Sequence, residues 1–499
     1  MGARVVVSDV SHGPRPVTRL GGAGAVASLA SNLRRRRGVI AAMSTHMATT
    51  HARRAIVAGL ASALIAGLGA GTAAASTVHV GGDLSDEYRD ARDPKVAVNA
   101  GGDQAFMWHL NDYSWEAQGR LRTGGTLGPV HTLSASGDSA IHPRVAVLPN
   151  GDGLFVWNRY VETSGHRLEA RTLSTADVRG PVHTLSEIAG TSEPQVAVDA
   201  NGDALIAWHR WDGELHSVEA RTLSAAGVLG AEVLQVSPEG EDAVRVQVAF
   251  DADGDAVLAW TNDDQVQTRT LTAAGELGEI QDVSDGSYDA WEMQMAVAPD
   301  GDALYTWERL GVDGRKRIKL RSRSADGELG EIEEISAFAA DADQPEIGVD
   351  AEGDAVITWL RENTDGDQVQ ARTRTADGVL GSILTLSKTG EPHTHPQLAV
   401  SANGVAAIAW ERDDGYYTRI KSRKLYPGDI LGATATLSDA GVDADELVVA
   451  INAQGSAVHA WRRLGDYYTI EFDADCCGAI PPPDAIVDRP QQPELARPG

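Results

Sequence analysis

Cysteine is almost missing from this chain: it has two, side by side at 476 and 477. A bridge between sequence neighbours is strained. Too few ligand types stand beside them to complete a metal set. A disulfide framework is therefore excluded, and Cys476 and Cys477 read as free or vicinally bridged. Positive charge is also scarce, with 43 Lys/Arg against 71 Asp/Glu. The first 75 residues hold nine bases and one acid, Asp9; the rest hold 34 bases and 70 acids, a formal charge of -36. Such a surface repels phosphate backbones and excludes nucleic acid as a partner. No segment carries a helical period of useful length. No glycine-rich loop leads from a strand into a helix, which removes the usual nucleotide cradle.

Only one long apolar run exists, Ala55 to Leu68. It is short for a membrane span. Met47 precedes it, Arg53 and Arg54 give the positive end, and Ala73-Ala74-Ala75 offers small residues for cleavage. Residues 47–75 thus read as a secretory signal peptide. Residues 1–46, with Arg34 to Arg37, read as an upstream extension absent from the mature protein. The mature chain is then expected to be secreted, periplasmic or at the cell surface, without a transmembrane span.

What the chain does have is a repeat. Asn201-Gly202-Asp203-Ala204-Leu205-Ile206-Ala207-Trp208 is its clearest copy. The tryptophans recur at Trp108, Trp157, Trp208, Trp260, Trp307, Trp359, Trp410 and Trp461, at gaps of 49, 51, 52, 47, 52, 51 and 51. A period near 50 marks a repeat architecture. Within residues 194–237, Pro194 to Val198 alternates as a strand. Asp199 to Asp203 is hairpin-turn chemistry, and Ala204 to Trp208 is a second strand. Val218 to Ser224 alternates as a third, and Leu229 to Leu234 is a weaker fourth. A four-stranded meander cannot bury both faces alone. Copies stacked around an axis can.

The predicted fold is all-β: an eight-bladed propeller of four-stranded antiparallel blades over 76–475. The last copy lacks a fourth strand after Tyr467 to Phe472. Thr77-Val78-His79-Val80 precedes Pro94 as Val130-His131-Thr132-Leu133 precedes Pro143. The N-terminal strand is expected to complete the last blade and remove two open edges. Pro94, Pro143, Pro194, Pro345 and Pro396 read as strand openers, where no ladder donor is needed. Residues 476–499 form a proline-rich tail, expected to be disordered.

The eight tryptophans read as core residues between blades. Arginine recurs in the third strand at Arg171, Arg221, Arg269, Arg321, Arg372 and Arg423, with Gly119 in that place in blade one. A second set follows the tryptophan at Arg159, Arg210, Arg309, Arg361, Arg412 and Arg463. Both are expected to lay their stems near the indoles and pair with acids such as Glu169 and Glu219. The repeat resembles the bladed β-propeller repeats of secreted bacterial proteins, over roughly 77–473. The aspartate box of sialidase-like propellers and the WD dipeptide are absent as repeating features. The resemblance therefore implies architecture and brings no functional residue with it.

Candidate chemistry is sparse. Asp251-Ala252-Asp253-Gly254-Asp255 resembles part of a calcium loop, but its spacing departs from the EF-hand and hairpin turns favour the same residues. No cofactor is expected, with calcium at these turns as the one alternative. Nucleophile sets are not recoverable. The residue before each expected strand opening is Asp93, His142, Glu193, Arg245, Glu292, Gln344, His395 or Glu446. The repeat places these eight at equivalent points near the channel mouth as a candidate ligand-binding ring. Oxygen-rich parts would suit calcium, and His142 and His395 could supply nitrogen to zinc. Aromatics gather in the loops after the tryptophans: Trp211, Tyr288, Trp291, Tyr416 and Tyr417. The expected function is a non-enzymatic binding or scaffold protein whose variable loop face recognises a glycan or an extracellular protein. The alternative is a polysaccharide hydrolase or lyase, which needs two carboxylates or a His/Tyr/Arg set converging in a cleft.

Overall fold

The structure is a computed structural model that describes residues 78–476, except 87, 113, 136, 138, 162–164, 187–189, 263–264, 287–289, 339, 363–365 and 389–392. The expected extension and signal peptide lie outside the described residues, as do Thr77, Tyr288 and all of the expected 476–499 tail except Cys476, which ends the strand Tyr468–Cys476.

Eight antiparallel sheets follow one another as meanders. Their innermost strands are Asp90–Val98, Ser139–Val147, Thr191–Val198, Ala243–Phe250, Ala290–Val297, Ala342–Val349, His393–Val400 and Ala444–Ile451. Each lies against the next, and the eighth lies against the first, so the ring is closed. The protein is an eight-bladed β-propeller. Val78–Asp83 pairs antiparallel with Tyr468–Cys476, from Val78 opposite Cys476 to Asp83 opposite Glu471, and completes blade eight as expected. Outside blades two and eight the outermost strands are shorter than the sequence suggests. Blade three has only Leu234–Gln235, plus an isolated bridge from Leu223 to Leu229. In blades one and seven the outer strand comes in two pieces.

The prolines do not open the inner strands. Blade three starts at Thr191, and Pro194 sits inside it. The pairing skips from Ser192–His209 to Gln195–Ala207, so Glu193 and Pro194 together oppose Trp208. The same β-bulge faces the tryptophan in every blade. A bulge leaves its extra residue out of the ladder, which is where proline costs no hydrogen bond.

All eight tryptophans are buried to 3% exposure or less, each in a cluster drawn from two neighbouring blades. Truncating such a side chain costs about 3–5 kcal/mol. The two arginine sets behave differently. Three of the set after the tryptophan pair with acids near the indoles: Arg210 Nε donates to Glu219 Oε1 at 2.5 Å, while Trp208 Nε1 donates to Glu219 Oε2 at 3.1 Å. Arg159 meets Glu169 at 3.1 Å and Arg463 meets Glu471 at 3.3 Å.

The third-strand set instead braces one blade to the next through backbone carbonyls. Arg321 Nε donates to Gly330 O at 2.7 Å, and its Nη1 to Val283 O of the preceding blade at 2.9 Å. Arg171, Arg221, Arg269, Arg372 and Arg423 repeat this pattern. In blade one Arg120, not Gly119, holds the register position opposite Phe106, and it reaches Gly128 O and Leu84 O. In blade eight Asp473 replaces it and meets His79 Nδ1 of the closing strand at 2.7 Å.

The Asn-Gly-Asp turns also have a structural use. Asp199 Oδ1 accepts from the amides of Asn201 and Asp203. Asp203 Oδ1 accepts from Ala225 N at 2.8 Å and so ties the first hairpin turn to the second. Asp255, Asp302 and Asp354 do the same. These oxygens are taken by N–H groups, which accounts for the calcium-like composition. Among the described residues no group of three or more His, Cys, Asp or Glu is placed to hold a metal ion, at the turns or at His142 and His395.

Candidate functional site

The meander gives the disk two unlike faces. Hairpin turns between first and second, and third and fourth, strands share one. The loops after each tryptophan share the other with the entries to the inner strands. The variable loops of 311–317 and 413–417 sit on this loop face, as do Tyr160 and His166 at neighbouring strand ends of blade two.

The eight ring candidates all occupy the bulge position, and all have left-handed backbone, with φ from 45° at Glu193 to 57° at Arg245. β-branched residues are outliers there, and none of the eight is β-branched. The repeat therefore demands a flexible or polar residue at this point for conformational reasons alone. The ring also has a joining role. Glu446 Oε2 accepts from Asp93 N at 2.7 Å, and Gln344 Oε1 accepts from His395 N at 2.9 Å, each across a blade boundary. Asp93 further holds Lys95 Nζ at 2.5 Å. His395 Nδ1 lies 3.2 Å from Glu411 Oε2, a hydrogen bond that raises its pKa. Arg245 is exposed, while the other seven are half-buried.

Sequence reasoning missed two kinds of residue here. The first is a set of buried polar side chains two positions beyond the bulge, including Lys95, Arg144, Gln294 and Glu346. Their signal was a polar residue recurring at one place in an apolar strand. The second is a group of histidines. His109 and His209 directly follow a tryptophan, and His166 and His216 stand where the third strand begins.

Each of blades one to three pairs an aromatic ring with an imidazole on this face. His109 meets Trp115 edge-on at 4.6 Å, Tyr160 meets His166 at 5.2 Å, and Trp211 meets His216 at 4.7 Å. Burial pushes the pKa of His109 and His209 down to about 4, and lowers those of His142 and His166. Charged neighbours matter less: Asp93 opposes burial at His109, and Glu193 opposes it at His209. These rings are neutral near pH 7. His216 Nδ1 is 2.9 Å from Asp242.

Ring closure extends the aromatic series backward through blade eight. The Arg92 guanidinium stands over both Trp115, at 5.7 Å, and Tyr468, at 4.5 Å. Tyr467, Tyr416 and Tyr417 continue it into blade seven. Tyr160, Trp211, Tyr467, Tyr416 and Tyr417 are all at least 39% exposed. Trp291 is half-buried in blade five, apart from this arc.

On the far side of the face the chemistry changes. Lys316 Nζ lies 3.0 Å from Glu308 Oε1 and 3.5 Å from Asp343 Oδ2. Burial raises the pKa of Glu308 and pushes that of Asp343 up to about 7. On the opposite face of the disk a cleft of about 250 Å³ opens beside the channel. Its walls are mostly apolar, with Asp199 and Asp251 among them.

No known protein family matches the sequence, and no curated protein matches it either. Solved structures share the fold at low identity. An ulvan lyase, described as a new family of polysaccharide lyase, is 9% identical, with a TM-score of 0.47 over 79% of this chain and 95% of its own. The BP39L lectin from Burkholderia pseudomallei is 8% identical, with a TM-score of 0.43 over 73% and 99%. A protein of unknown function from Dyadobacter fermentans is 11% identical, with a TM-score of 0.36 over 56% and 95%. At these values the likeness carries no conclusion about this chain.

Proposed function

We propose that the protein recognises a glycan chain across the loop face of blades seven, eight, one, two and three. The observation that carries this reading is the arc of exposed aromatic side chains on those neighbouring blades; Phe338, also exposed on this face, stands apart from it under the Arg317 guanidinium. Aromatic faces suit the apolar faces of sugar rings, and a polar rim of imidazoles and carboxylates supplies hydrogen bonds to hydroxyls. The arc crosses several blades, so an extended chain fits it better than a single sugar. Immobilised oligosaccharides probed with the full chain test the reading. Binding that weakens about tenfold or more in Tyr160→Ala and Trp211→Ala, with thermal stability unchanged, supports it. Absence of binding to every glycan class overturns it.

A second reading is favoured by Glu308 and Asp343. Two carboxylates that share one ammonium are close together. The carboxyl of Asp343 stays protonated to about pH 7 because of burial. Such a pair suits acid–base cleavage of a glycosidic bond. Release of new reducing ends that disappears in Asp343→Asn would make the protein a hydrolase. Binding without release keeps it a binding protein.

A further inference from the structure

We infer that the glycan is anionic, and that Arg92, Arg167 and Arg245 read its carboxylate or sulfate groups; this rests on the glycan-recognition reading above. The chain carries 71 acids against 43 bases, so a basic side chain easily finds a partner. Several arginines do, Arg309 with Asp285, Arg315 with Asp341, Arg374 with Glu333 and Arg462 with Asp445, and the third-strand set is held by backbone carbonyls. Arg92, Arg167 and Arg245 have no acid partner among the described residues. They belong to blades one, two and four, on or next to the aromatic arc.

The surroundings of these arginines point the same way. Arg92 is held between the Trp115 and Tyr468 rings, so its guanidinium is positioned without being neutralised. The Nε atoms of Arg92 and Arg167 are buried and have no hydrogen-bond partner among the described residues. The same holds for Nδ1 of His109, His142, His166 and His209, and His209 as a whole is only 7% exposed. Such atoms recur right round the ring, as at Arg361 and Arg463 Nε, so the aromatic clamp on Arg92 is what marks the arc. A planar guanidinium matches a carboxylate or sulfate with two parallel N–H···O bonds. The neutral imidazoles add donors toward hydroxyls.

Charge density separates this ligand from nucleic acid. Duplex DNA carries one charge per about 1.7 Å. It would press against the acidic remainder of the surface, while an acidic polysaccharide spaces its charges a sugar ring or more apart.

The test uses the full chain against four probes: a neutral β-glucan oligosaccharide, an oligouronate, a sulfated galactan oligosaccharide and single-stranded DNA. The expected result is binding to the oligouronate or the sulfated galactan at least tenfold tighter than to the neutral chain. The preferred one of the two identifies the anionic group. That binding should fall about tenfold in Arg167→Gln and again in Arg245→Gln, and Arg167→Lys should recover only part of the loss. Equal binding of neutral and anionic chains, unaffected by these substitutions, overturns the inference and leaves glycan recognition standing. DNA binding as tight as that of the acidic glycan also overturns it. Failure of all three glycans overturns both readings.

Discussion

Arg321→Ala isolates the brace that joins blades. Arg321 donates from Nε to Gly330 O at 2.7 Å and from Nη1 to Val283 O at 2.9 Å. The first bond secures the outer turn of its own blade. The second crosses to blade four. A hydrogen bond involving a charged group contributes about 1.5–3 kcal/mol when lost. Two such bonds would give about 3–6 kcal/mol, but Arg321 is only half-buried, and water can reach the freed carbonyls. The expected loss is therefore about 2–4 kcal/mol. Arg321→Lys keeps the charge and stem but has a single point donor, so it should recover at most half. Urea unfolding followed by tryptophan fluorescence reads the effect, because the indoles lie between the braced blades. An Arg321→Ala midpoint within about 0.5 kcal/mol of wild type, at unchanged slope, would refute the brace as a source of stability. Equal stability of the Ala and Lys variants would refute the forked geometry.

Two pH effects and one truncation follow from other sites. The Asp343 carboxyl has a folded pKa of about 7, raised above its ordinary value, so its contribution is full in acid and lost as pH rises through 7. Asp343→Asn should raise stability at pH 8 by on the order of 2 kcal/mol and change it little at a pH below the ordinary Asp value, where the carboxyl is protonated folded or unfolded; an unchanged melting profile at both pH values refutes this. His459 is buried neutral beside Ser422 Oγ at 2.9 Å, with Asp475, Lys424, His79 and Asp473 around it, and has a folded pKa of about 4. Its contribution is present above the ordinary histidine pKa and lost as pH falls through 4. His459→Ile with Ser422→Ala should flatten the acid side of the stability curve by on the order of 2–3 kcal/mol, and an unaltered acid limb counts against it. Removing residues 76–83 strips the partner from Tyr468–Cys476 and should give self-association or a large fall in melting temperature; a stable monomer would show that closure by this strand is dispensable.

Much of the architecture was legible because each repeat carries its own local code. Asn201-Gly202-Asp203 is a hairpin turn wherever it stands. An alternating run ending in Trp208 needs a partner surface. What escaped was geometry that depends on pairing. Pro194 looked like a strand opener because a missing N–H suits a strand start and a bulge equally. Only the register with Trp208 separates the two. Arg120 was passed over for Gly119 because loop lengths differ between blades. Its place opposite Phe106 is a property of the sheet, not of spacing.

The sequence by itself determined the number of blades, the buried tryptophans and the device that closes the ring. Periodicity and turn chemistry are written in neighbouring residues, so local physics suffices to read them. The tertiary structure decided where the candidate site lies. Trp115 and Tyr468 are far apart in the chain, and the closing strand makes blades eight and one neighbours, so that one arginine touches both rings. That Arg92, Arg167 and Arg245 have no acid partner among the described residues is likewise invisible in a chain so rich in acids. Ion pairing is settled by distances of a few ångströms, and those exist only once the ring has closed.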